Sequence, residues 1–251
     1  MTETATPTRP AAAAASTTTS ATTKMPRFDM YVFIHKALRQ FMGHTLTRLG
    51  AMDVNDAEER TAVLDGVDGL LRFMRGHLQH ENDFLHTAIE ARRPGGARQT
   101  ADDHVHHQDA IGNLEDECRA VRDARDEHRP LLALGLYRHL AEFVGENLLH
   151  MQVEETRNNA ELWALYSDEE LVALHDRLLA TIGPDEMALH ARWLAAALSV
   201  PELAMLFGDM RQKAPPPAFE ALLEVAHAQL DERRWGQLQH ALGRTPAAMA
   251  R

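Results

Sequence analysis

Residues 63–88 read VLDGVDGLLRFMRGHLQHENDFLHTA. Val63, Val67, Leu70, Met74, Phe84 and Ala88 recur in alternating three- and four-residue steps, the period that lines up one face of an α-helix. His77 and Glu81 sit on the same stripe. Four residues apart, they share a helix face. A carboxylate on an apolar stripe is costly unless it is paired or holds a cation. The stretch therefore predicts a packed helix and a chemical reason for its two polar interruptions.

The pattern extends on both sides. A first helix is expected over about residues 28–49, with Tyr31, His35, Leu38, Met42 and Leu49 on one stripe and Gly50 past its end. The second opens near Asn55, with Glu58 completing a capping box, and stops at Arg92-Arg93-Pro94-Gly95-Gly96. A third starts around Thr100, stripes through His104, His107, Ile111, Leu114, Cys118 and Val121, and ends at Arg129-Pro130. The fourth starts about Leu131 and carries Leu132, Leu136, His139, Phe143, His150 and Glu154. Alternating β-branched runs closed by tight turns are absent. The fold class expected is all-α: an antiparallel up-down-up-down four-helix bundle with additional C-terminal helices. Its parts are a disordered Thr-, Ala- and Pro-rich tail at 1–25, the bundle at 26–162 and a helical extension at 163–251. In the extension, Ser167–Glu170 and Ser199–Glu202 are helix starts. Pro215-Pro216-Pro217 precedes a helix at about 218–229, and a short one follows at 234–242.

Composition limits what such a bundle can do. Among 251 residues, 26 Lys and Arg face 37 Asp and Glu, a net charge of −11. Nucleic acid and anionic membranes both demand a positive face, so neither is an expected partner. Cys118 is the single thiol, which excludes an internal disulfide and Cys-based zinc or iron–sulfur sites. A reducing, cytoplasmic setting follows. No apolar run approaches the roughly 18–20 residues of a membrane span. Fifteen histidines remain to be explained.

Position sorts them. His150 and Glu154 repeat the spacing of His77 and Glu81. At about 1.5 Å per residue, His107 and His150 both lie about 30 Å from the turn between their helices. His35 and His77 are level within about a turn, and His107 meets the level of Glu81 across the residue 92–100 connection. The bundle thus brings His35, His77, Glu81, His107, His150 and Glu154 into one layer. His104, three residues before His107 on the same stripe, is an equal candidate. Imidazoles with two carboxylates suit a pair of divalent transition ions bridged by the glutamates; iron, manganese or zinc would fit the ligand types. Under-filled coordination would admit solvent or a small ligand such as dioxygen, nitric oxide or peroxide.

The order His, His-x-x-x-Glu, His, His-x-x-x-Glu over four helices resembles the hemerythrin-like non-haem di-iron family. Its local sequences are Ile34-His35-Lys36-Ala37-Leu38-Arg39, His77-Leu78-Gln79-His80-Glu81 and His150-Met151-Gln152-Val153-Glu154-Glu155. The likeness covers about residues 28–160. It implies two iron ions, oxo- or hydroxo-bridged, held by His35, by His77 with Glu81 and by His150 with Glu154. Oxygen carriers of this kind have two third-helix histidines four apart, whereas here Asp103 precedes His107 by four and Gln108 follows His104 by four. They also place an Asp five residues after the fourth-helix His, where this chain has Glu154 at four. The resemblance is therefore to sensors and to proteins that handle iron or nitric oxide. A di-iron enzyme reducing peroxide or nitric oxide is the alternative, with Tyr31 and His80 as conceivable donors. A metal-free helical interaction module is a further one. The ferritin-like pattern of Glu-x-x-His on two helices finds only Glu224/His227. His80, His86 and His106 flank the stripes and are expected at the surface or hydrogen-bonded to ligands. His44, His128, His139, His175, His190, His227 and His240 have no assigned role. The C-terminal helices could serve a homodimer or a protein partner.

Overall fold

Residues 27–244 are described by a computed structural model, and the tail expected at 1–25 lies outside them. Every regular element among the described residues is helical. The bundle consists of α1 (Val32–Ala51), α2 (Ala57–His80), α3 (Thr87–Arg92), α4 (Arg98–Asp123), α5 (Arg129–Val153) and α6 (Asn159–Leu165). Single π-helical segments, Glu81–His86 and Glu154–Asn158, join α2 to α3 and α5 to α6 without a break. The bundle therefore has four rods. α1 packs on α2 and α5, and α4 packs on the same two, which closes the ring expected of up-down-up-down connectivity.

The stripes explain the packing. Val63, Val67, Leu70 and Met74 of α2 meet Leu38, Phe41 and Met42 of α1 and Ile111, Leu114 and Cys118 of α4, all buried. Each such side chain contributes about 1.5–3 kcal/mol by leaving water. Helix starts follow local chemistry. Asp56, one residue after the expected cap, accepts from the Glu58 and Glu59 amides. Of the expected capping boxes, those at Ser167 and Ser199 are formed, and Asp56 caps α2 in place of Asn55.

Several boundaries and faces differ from expectation. α1 begins at Val32 and continues through Gly50 to Ala51. α4 ends at Asp123, and Arg129-Pro130 opens α5 instead of closing α4, because proline suits the first turn of a helix. On α5, Leu132 and His139 are exposed. Ala133, Leu140 and Asn147 take the core side together with Leu136, Phe143 and His150. A 3.6-residue period drifts against strict three-and-four counting, so an early anchor on Leu132 misplaces its neighbours.

The C-terminal helices are α7 (Asp168–Leu179), α8 (Pro184–Ala197), α9 (Val200–Lys213), α10 (Pro216–His227) and α11 (Glu232–Ala241). α8 lies along α1, where Trp193 stacks on Phe41 with centroids 3.9 Å apart and joins the bundle core. α9, α10 and α11 build their own small core around Phe207, Phe219 and Leu223. Leu171 and Leu174 of α7 close over Tyr31, Leu85, Ile89 and Leu162. No helix among the described residues is long and apolar enough to cross a membrane.

Candidate metal centre

His35, His77, Glu81, His104, His150 and Glu154 converge inside the bundle, each at most 6 % exposed. Their ligand atoms form two groups of four, His35–His77–Glu81–Glu154 and Glu81–His104–His150–Glu154, with both glutamates common to the two. Glu81 divides its oxygens. Oε1 lies 3.3 Å from His77 Nε2 and 3.6 Å from His35 Nε2, while Oε2 lies 3.4 Å from His104 Nε2. Glu154 does the converse. Its Oε1 is 3.2 Å from His150 Nε2 and 3.5 Å from His104 Nε2, and its Oε2 is 3.5 Å from His35 Nε2. Neighbouring donors on a cation with bonds of about 2.1 Å stand about 3.0–3.4 Å apart.

The donor atoms are also unsatisfied. His35 Nε2, His77 Nε2 and all four oxygens of Glu81 and Glu154 are buried without a hydrogen-bond partner. Buried polar atoms are otherwise almost always paired, because desolvating them alone costs about 1–3 kcal/mol each and more for charges. His104 Nε2 and His150 Nε2 face each other at 3.0 Å, two imidazole nitrogens directed at one point. Bound metal is the chemistry that would use these atoms.

The outer nitrogens are held by partners that fix each ring. His35 Nδ1 faces Glu155 Oε1 at 3.0 Å, and Arg39 clamps the same carboxylate with two bonds, at 2.6 and 3.1 Å. His104 Nδ1 lies 2.8 Å from Asn82 Oδ1, and His150 Nδ1 lies 3.3 Å from Asp103 Oδ2. Donation outward turns the Nε2 lone pair inward, as ligand histidines require. Asp103, four residues before His107, thus serves to orient His150.

Burial and the carboxylates pull the imidazoles of the cluster in opposite directions. Burial would depress His35 and His104, but carboxylates outweigh it: Glu155 and Glu81 for the first, Glu154 and Glu81 for the second, lifting each to about 9. Burial pushes His77 down to about 4. Hydrogen bonding from His35, then from Arg39, holds Glu155 at about 2. The carboxylates thus favour protonation of His35, His104 and His150 while the cluster holds no metal, and cations would take the place of those protons.

His107 is buried beside this cluster, its ring 4.8 Å from that of His150, yet it belongs to neither four-residue group. His86, expected on a flank, is buried; its Nε2 lies 3.1 Å from Thr100 Oγ1 and its ring stacks 4.7 Å from His104. Asn158 bonds the same Thr100 hydroxyl at 3.0 Å. Both π segments begin at the two glutamates of the cluster, Glu81 and Glu154. The extra residue per turn widens the helix there and swings His86 inward, which no α-helical count anticipates. Such bulges concentrate at functional sites. Tyr31, at the start of α1, is wholly buried with its ring 5.2 Å from His35. Burial first, then Glu154 and Glu81, keep its hydroxyl protonated far beyond the usual phenol range.

Comparison with protein-family models and with curated proteins finds no match. The finding that stands is a helical protein with a buried His/Glu cluster able to hold metal.

Proposed function

We propose that this chain is a hemerythrin-like cytoplasmic protein that holds two iron ions and binds or senses dioxygen, nitric oxide or peroxide. The observation that carries the reading is the division of Glu81 and Glu154, each giving one oxygen to the His35–His77 pocket and the other to the His104–His150 pocket. Such bridging carboxylates suit two hard or borderline ions a few ångströms apart. Bound iron would supply open coordination positions for a small ligand. The rest belongs to the chain. Glu155, Asn82 and Asp103 orient three imidazoles. The apolar layer of Leu85, Ile89, Leu162 and Leu171 keeps water from one end of the bundle. His107 stands by as a further nitrogen on the His150 side. Manganese and zinc suit the same donors, so metal identity is part of what the experiment reads.

Purified full-length protein should carry about two iron ions per chain, and Glu81→Ala or Glu154→Ala should each abolish the pair, because either change removes a ligand from both pockets. Full metal content in both variants would sink the reading, as would metal-free protein of undiminished stability, which favours an interaction module. One observation favours a second, enzymatic reading: the buried Tyr31 hydroxyl has no hydrogen-bond partner and, held protonated beside the glutamates, is free to donate a hydrogen bond to a bound peroxide. Peroxide turnover by the wild type that is lost in Tyr31→Phe with metal retained would establish it.

A further inference from the structure

A second constellation lies where α8 meets α2, outside the six converging residues. Glu186 in the first turn of α8 and His190, four residues on, share one face of that helix. His190 Nε2 lies 3.7 Å from Glu186 Oε1, and His80 Nδ1 of α2 lies 3.8 Å from the same oxygen. Neither distance is a hydrogen bond. His190 is only 7 % exposed, and its Nε2 is buried without a partner. Burial pushes its imidazole down to about 4, so the ring is neutral near pH 7 and keeps a lone pair free. Glu186 is the open side of the group, its side chain 35 % exposed.

Gly76 makes the approach of Glu186 feasible. A Cβ at that position would stand 2.7 Å from Glu186 Oε1. Glycine within a helix costs about 1 kcal/mol relative to alanine, and here its missing side chain is the space the carboxylate occupies over α2.

We propose that His80, Glu186 and His190 form an outer site for one divalent transition cation at the α2–α8 junction. Two imidazoles and a carboxylate are a three-ligand set with room for solvent, suited to zinc, cobalt or ferrous ions. The site is less pre-organised than the inner cluster. The His80 and His190 ring centroids are 6.5 Å apart, against 4.8–5.3 Å for the neighbouring inner pairs His107–His150, His104–His150 and His35–His77. His80, at the rim, has to move toward Glu186 and His190 to close on an ion, so affinity is lower and exchange faster than inside the bundle. The proposal stands apart from the di-iron reading, since it uses none of the inner ligands.

Cobalt(II) titration of the metal-free full-length chain, read by its visible absorption and by equilibrium dialysis, tests it. Three equivalents are expected in the wild type, the third at least tenfold weaker than the first two. Glu186→Gln and Gly76→Ala should each lose the weak equivalent and keep the tight pair, with unchanged helical circular dichroism. A Glu81→Ala/Glu154→Ala protein should do the reverse. Only two equivalents in the wild type, or a third surviving in Glu186→Gln, overturns the outer site. Loss of nothing in the Glu81/Glu154 variant overturns the inner reading alone.

Discussion

His35 shows how much one side chain depends on its surroundings. Its inner nitrogen meets Glu81 and Glu154, and its outer nitrogen meets Glu155, itself pinned by Arg39. Glu155→Gln removes the charge that orients the ring but leaves every proposed ligand in place. Metal affinity should fall about 10–100-fold while the melting temperature of the metal-free protein changes little, as measured by chelator competition and thermal scans. At this scale the sequence is legible where two polar residues share an apolar stripe, which is why His77/Glu81 and His150/Glu154 stand out. It cannot separate His104 from His107, because three residues apart on one helix both face inward. Nor can it find His190, whose burial comes from α8 lying against α2 rather than from any local period.

Among elements, α8 is the one that ties the extension to the bundle. Trp193 reaches the core between helices and stacks on Phe41. Trp193→Ala should cost about 3–5 kcal/mol, a drop in melting temperature of about 6–20 °C at about 2–4 °C per kcal/mol for a chain this size. A loss under 2 °C would mean that α8 leans on the bundle without supporting it. α9 adds an ion pair from its capping-box glutamate, Glu202, to Lys36 of α1. Burial would raise the Glu202 carboxyl, but Lys36 and the Ser199 cap outweigh that and hold it at about 2. Its unfolded value is about 4.3, so the pair's contribution is complete above about pH 5 and fades as pH falls toward 2. Glu202→Gln should therefore melt about 1–3 °C below wild type at pH 7, with the gap narrowing below about pH 5 and closing only near about pH 2. Helix starts such as this one are written in the sequence as Ser-x-x-Glu. The π turns are not, since no residue type marks the insertion of one extra residue into a helix.

For the whole molecule, ion binding at this cluster would be coupled to folding. Unpaired carboxylates and facing imidazoles in the bundle centre are tolerated at a cost in the metal-free state, and binding at 1,000-fold above the dissociation constant adds about 4 kcal/mol. Chelation should lower the melting temperature by about 8–16 °C, and re-addition of the metal should restore it. Glu81→Ala/Glu154→Ala should be insensitive to both treatments. The overall fold was readable because amphipathic periods and short connections leave an antiparallel bundle as the economical way to bury four stripes. The closure of α7 over the Tyr31 end and the burial of His86 depend on contacts between distant segments, and periodicity is silent about those.

The two π turns carry a last consequence. α1 with α2 supplies one histidine, then His-x-x-x-Glu, then a π turn opening at the glutamate; α4 with α5 supplies the same series again. Exchanging the two hairpins maps His35 onto His104, His77 onto His150 and Glu81 onto Glu154. Each hairpin gives both imidazoles of its own pocket and lends one oxygen to the other's. The centre thus has a local two-fold axis that the chain as a whole lacks, and each hairpin is half a chelator. A chain nicked at the exposed Gly95-Gly96 turn, where Gly95 holds a φ of 81°, should yield fragments that bind metal weakly alone and tightly when mixed, so that the ions themselves become the stitch between halves.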